Sequence, residues 1–129
     1  MILDTSVLID ILKGEDEMKK VEREIDREGS VFITPITIME LWEGIHRSDH
    51  TDREREKVSE LLSSLNTIGF NTESSKKAGK ISADLLSKGK PVDVEDIMIG
   101  AIALQNNEKV LTGNGSHFDR IEGLKVEEY

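Results

Sequence analysis

The chain contains no cysteine in 129 residues. That absence excludes disulfides and thiolate metal sites together. It also lacks a long apolar run. The longest, Ile97 to Leu104, is far too short to cross a bilayer, so no membrane association is expected. No basic n-region precedes the first apolar residues, so the sequence predicts no signal peptide and a cytoplasmic location. Positive charge is scarce: 17 Lys and Arg stand against 26 Asp and Glu, a net charge of −9. A simple nucleic-acid-binding module gains its affinity by neutralising phosphates, and this balance argues against one. Missing too are a Gly-Lys-Ser/Thr phosphate loop after Gly113-Asn114-Gly115 and a Gly-x-Ser-x-Gly elbow. His46, His50 and His117 show no zinc-ligand spacing.

What is present is a regular alternation of short apolar runs and helical patterns, with no linker or internal repeat. The length predicts one domain over 1–129. Met1-Ile2-Leu3 reads as a strand, followed by a helix that Thr5 or Ser6 caps and Gly14 stops. Glu15 to Glu28 reads as a sparse amphipathic helix ended by Gly29, and Val31 to Ile33 as the second strand. Thr34-Pro35 predicts a helix start, with Thr34 as cap, and the helix carries Ile36 to Ile45. After a polar break over 48–51, helices are expected over 52–65 and 72–87, with a weak strand over 67–70 between them. Asp93 is expected to cap a helix over 94–106. Lys109 to Thr112 reads as a fourth strand and Leu124 to Val126 as a fifth. Such alternation predicts an α/β fold with a parallel sheet of four to five strands between helices. Ligands of open sheets of this kind bind beyond the carboxyl ends of the strands.

Four polar residues stand at those joints. Asp4 closes the first strand, Glu40 interrupts the apolar helix after the second, Asp96 opens the apolar run Ile97 to Leu104, and Asn114 follows the fourth strand. Carboxylates beside buried runs are costly when unpaired. Several sharing one pocket repel each other unless divalent cations neutralise them. That points to a metal-dependent site. The plainer alternatives are a helix cap for Asp4, a solvent-facing position for Glu40, and a helix start shared with Asp93 for Asp96. Against the acidic average, Lys76, Lys77, Lys80, Lys88 and Lys90 lie between Ser74 and Val92 with a single acid, Asp84. They read as a solvated helix face or as a phosphate-contacting patch.

Four segments in order resemble the PIN-domain ribonucleases, specifically the VapC-type toxins of toxin–antitoxin pairs. Met1 to Asp10 resembles the family's opening strand with its first acid, and Thr37 to Gly44 its second motif around Glu40. Asp96 to Ala103 resembles the third and Leu111 to Phe118 the fourth. The resemblance implies a PIN-like three-layer α/β/α sandwich and endonucleolytic cleavage of RNA with Mg²⁺ or Mn²⁺. It places Asp4, Glu40, Asp96 and Asn114 as catalytic residues. Asp4 and Asp96 are expected to bind the cation, with Glu40 joining directly or through water, and Thr5, Ser6 and Thr112 to orient ligands from behind. It further implies a cognate antitoxin, a homodimer, and 5′-phosphate and 3′-hydroxyl products.

The chain departs from the family at Asn114, where many members carry aspartate. Three carboxylates cannot balance two divalent ions, so one well-occupied cation and a weaker second site are expected, with Asp119 a candidate to compensate. The amide also keeps open the reading of a catalytically weakened RNA-binding or interaction module. A Mg²⁺-dependent phosphatase of haloacid-dehalogenase type is the remaining rival, against which Ser6 stands where a second aspartate is needed. Val7, Leu8, Met39 and Trp42 offer either an interface or ordinary core.

Overall fold

The computed structural model describes residues 1–47, 49 and 51–129. Ser48 and His50, which belong to the predicted polar break and to the histidine set, lie outside the described residues. The chain runs β1 (Ile2–Leu3), α1 (Thr5–Lys13), α2 (Met18–Arg27), β2 (Phe32–Ile33), α3 (Pro35–Arg47) and α4 (Asp52–Ser63). It continues through β3 (Asn66–Thr67), α5 (Thr72–Ser87), α6 (Val94–Gln105), β4 (Val110–Thr112), α7 (Gly115–Phe118) and β5 (Val126–Glu128).

All five strands are parallel, in the order β3-β2-β1-β4-β5. The chain builds outward from β1 through β2 to β3, then crosses back to add β4 and β5 on the other side. Strand order therefore reverses between β1 and β4, where Ile2 pairs with Val110 and Leu3 with Leu111. Side chains alternate along each strand. Ile2 and Val110 face a cluster with α5 and α6, while Leu3, Ile33 and Leu111 face a second cluster with α1, α2 and α3. That alternation makes three layers. Fully buried Ile2, Ile99 and Ile102 each contribute about 1.5–3 kcal/mol. No helix among the described residues is long and apolar enough to cross a membrane.

Local chemistry explains most of the boundaries. Gly14 stops α1 in the left-handed region, at φ 72°, where a side chain is strained. Thr34 caps α3 by accepting the Thr37 amide. Asn71 and Ser74 form a reciprocal capping box at α5.

Several expectations shift. The residue before α1 is Asp4, not Thr5 or Ser6, and its carboxylate makes no capping bond. Asp93 holds the corresponding place before α6, also without a capping bond. α2 begins at Met18, after the run of surface acids, and ends at Arg27, ahead of Gly29. β3 lies at 66–67 rather than 67–70, because Ile68 and Phe70 turn away to pack on the core. β5 starts two residues late, at Val126. Val7 and Leu8 are fully buried, so only Met39, 54% exposed, and half-buried Trp42 remain from the proposed surface.

Candidate active site

Parallel strands end at one edge of the sheet, and the sheet's order reverses there. Asp4 follows β1 and donates its amide to the Leu111 carbonyl of β4. The residue as a whole is 6% exposed. The Oδ2 atom accepts two hydroxyls, Ser6 Oγ at 2.9 Å and Thr112 Oγ1 at 2.8 Å. Both hydroxyls are themselves fixed, since Ser6 Oγ accepts the Gly113 amide and Thr112 Oγ1 the Asn114 amide. Oδ1 has no hydrogen-bond partner among the described residues, yet no buried side-chain oxygen there is left unsatisfied. The atom therefore faces solvent. One oxygen is anchored and the other is free to ligate, which a helix cap does not explain.

Glu40 projects from α3 and is half-buried. Its Oε1 accepts the Thr5 hydroxyl at 2.8 Å, and Thr5 lies 2.9 Å from the buried hydroxyl of Thr37. With Thr5 donating to Glu40, Thr37 donates to Thr5, a one-way relay that fixes the carboxylate. Asp96 opens α6, and its Oδ2 lies 3.1 Å from His117 Nδ1 on α7.

The acids feel one another. Burial raises Glu40 above its ordinary 4.5, and the charges of Asp4, Asp96 and Glu95 raise it further, against the lowering bond from Thr5. Asp96 is raised above 3.8, again first by burial and then by Asp4, while His117 lowers it. Negative charge from three elements thus converges at one edge, as a cation-binding pocket requires. Among the described residues no three His, Asp or Glu side chains stand close enough to hold an ion directly. A hard cation bound through one or two carboxylates, with waters and a substrate phosphate completing its shell, fits that spacing and the all-oxygen donors. Asp4 with its free Oδ1 and Asp96 are the residues suited to hold it.

The raised acids carry a stability consequence. Folded Glu40 holds its proton more tightly than the unfolded chain, so ionising it costs stability as pH rises above 4.5. Glu40→Gln keeps an oxygen for Thr5 and removes the charge. In cation-free buffer the variant should melt above wild type at pH 7, and the gap should close as pH falls through the carboxylate range. Thermal denaturation between pH 4 and 8 checks this; a wild type that gains on the variant with rising pH contradicts it.

Asn114 precedes α7 and is exposed; its backbone amide donates to Thr112 Oγ1 and its carbonyl accepts the His117 amide. Asp119 is exposed as well. The glycines beside Asn114 serve close packing. A Cβ on Gly113 would meet the Tyr129 hydroxyl at 2.9 Å, and one on Gly115 would meet Glu128 Oε2 at 2.5 Å. Glu43 and His46 are exposed at the end of α3 and belong to the surface.

Three neighbours had no role assigned from the sequence. Thr37 lies one helical turn before Glu40, and that spacing could have revealed it. His117, set aside for zinc, reaches Asp96. Tyr129 donates to Asp10 Oδ2 at 2.7 Å, and burial, then that carboxylate, pushes its phenol well above the ordinary range. No local pattern announces this last contact, since 119 residues separate the partners.

A PIN domain model matches residues 1–124. The tRNA(fMet)-specific endonuclease VapC of Salmonella typhimurium is 32% identical over 99% of this chain and 96% of its own length. The structure of DNA-bound VapBC from the same organism superposes with a TM-score of 0.88 at 31% identity, covering 98% of this chain and 96% of that one. VapBC2 from Rickettsia felis, bound to a promoter DNA fragment, shares the fold at a TM-score of 0.90 and 24% identity, over 99% and 97% of the two chains.

Proposed function

The chain belongs to the PIN domain family, and on that premise we propose that it is a metal-dependent endoribonuclease, the toxin of a toxin–antitoxin pair. The observation that carries the reading is Asp4: a nearly buried carboxylate with one oxygen pinned by Ser6 and Thr112 and the other left open. We read 1–129 as one catalytic unit, since the sheet draws strands from residue 2 to residue 128, and we assign its work to the cytoplasm, where its RNA substrate lies.

Asp4 and Asp96 would hold the cation, Mg²⁺ or Mn²⁺, which would supply phosphate polarisation and lower the pKa of a bound water. Glu40, held by Thr5, orients the attacking water and accepts its proton, a task for which a raised carboxylate is suited. His117 fixes the Asp96 carboxylate. Asn114 contributes an amide at the mouth of the site. Water oxygen bonds to phosphorus in line with the departing 3′ oxygen, which leaves as a hydroxyl. The phosphate stays on the 5′ end of the downstream fragment.

Beside Glu40 a groove of about 450 Å³ lies between α1, α3 and α4, lined by Ile9, Leu12, Leu41, Ile45 and Val58. Its apolar length suits an amphipathic helix of the antitoxin, which would cover the site from that side. A second copy of the chain is the other expected partner.

The first RNA to test is tRNA(fMet), the substrate class named for the Salmonella relative. Incubation with Mg²⁺ or Mn²⁺ should yield 5′-phosphate and 3′-hydroxyl ends, and EDTA should stop the reaction. Cleavage that persists in EDTA, or 2′,3′-cyclic phosphate ends, rejects the mechanism.

A further inference from the structure

The acidic site gives RNA little to hold, and a net charge of −9 repels it. The counterweight lies on α5. A groove of about 340 Å³ runs between α5 and the segment after α7. Lys77, Lys80, Lys88 and Arg120 line it, against two carboxylates, Asp84 and Glu122. Lys76, outside the groove, is paired with Glu73, whereas Lys77, Lys80 and Lys88 form no ion pair among the described residues. Unpaired ammonium groups along a groove are available to an anionic ligand.

The groove is also aimed. α5 and α6 pack against each other through a short connection, so the Lys88 end of α5 lies toward the start of α6, where Asp96 stands. Arg120 follows His117, the partner of Asp96, by three residues, and donates to the Pro91 carbonyl in that connection. From Lys88 back to Lys77 the helix covers about 16 Å. A cationic track therefore leaves the edge of the acidic site and continues along α5. Its aliphatic floor and spaced cations suit a chain with regularly repeated negative charge.

We propose that this groove binds the phosphodiester backbone of the RNA strand flanking the scissile bond. The inference rests on the ribonuclease reading. Asp84, between Lys80 and Lys88, would then weaken binding, which gives the proposal a test of opposite sign.

Binding is measured on tRNA(fMet) in an Asp96→Asn background, which leaves the RNA uncut, as Kd against KCl concentration. Each lost phosphate contact to a single strand lowers the slope of log Kd against log salt by about 0.7. Lys77→Gln with Lys80→Gln should therefore lower it by roughly 1.4 and weaken binding about tenfold at 0.1 M salt. Asp84→Asn should tighten binding. A control pair on α2, Lys19→Gln with Lys20→Gln, changes net charge equally and should leave the slope within about 0.3. Equal slopes for groove and control pairs overturn the proposal, as does antitoxin binding lost with RNA binding intact. If the wild-type protein cuts RNA while the groove variants bind normally, the groove alone is wrong. If the wild type cuts no RNA, the nuclease reading fails and the groove with it.

Discussion

Asp4→Asn is expected to lower RNA cleavage by about 10³-fold or more while leaving the protein folded. The two halves of this expectation have separate causes. Oδ2 of Asp4 accepts hydroxyls from Ser6 and Thr112, and an asparagine oxygen can accept the same two. The anchoring bonds across the β1–β4 junction therefore survive. The open position becomes an amide nitrogen, a donor that cannot ligate a cation. Circular dichroism and melting temperature should match wild type within a few degrees, while single-turnover cleavage collapses. Retained cleavage would remove Asp4 from the chemistry; loss of the fold along with activity would mean the anchor, not the open oxygen, was the residue's task.

The second large effect is on stability. Burial first, and then the charge of Asp4, makes ionised Glu40 and Asp96 costly in the folded chain, and a divalent cation relieves that cost. A cation at about a hundredfold above its Kd stabilises by about 2.7 kcal/mol. For a chain of this length that is a melting shift of about 10 °C. EDTA should reverse it, and Asp4→Asn should abolish most of it. The shift should also fade as pH falls and the carboxylates take up protons, because protonated acids do not ligate. Calorimetry across a Mg²⁺ series reads all three. An equal shift in the Asp4 variant would place the bound ion elsewhere on this acidic surface.

The sequence exposed the architecture well wherever local chemistry sets a boundary. Thr34-Pro35 and Gly14 announce their elements through a cap and a breaker, and the structure keeps them, along with the helix over 72–87. It was less informative where long-range packing decides. Thr67 to Phe70 looks like a strand by composition, yet Ile68 and Phe70 are drawn onto the core and the pairing moves to Asn66 and Thr67. Glu128 and Tyr129 join β4's exit through side-chain contacts that no nearby residue signals. The acids were legible because each interrupts an apolar run. Their supports were not, because hydroxyls such as Thr37 are common, and only the fold says which ones face a carboxylate.

The Thr112 hydroxyl that pins Asp4 comes from 108 residues further along. During synthesis β1 has no β4 to pair with until the residues between them have been translated. A nascent chain on the ribosome, surrounded by RNA, therefore carries Asp4 without the partners that organise it. The crossover that closes the sheet thus makes the setting of Asp4 depend on the pairing of β1 with β4, a late and long-range event in folding.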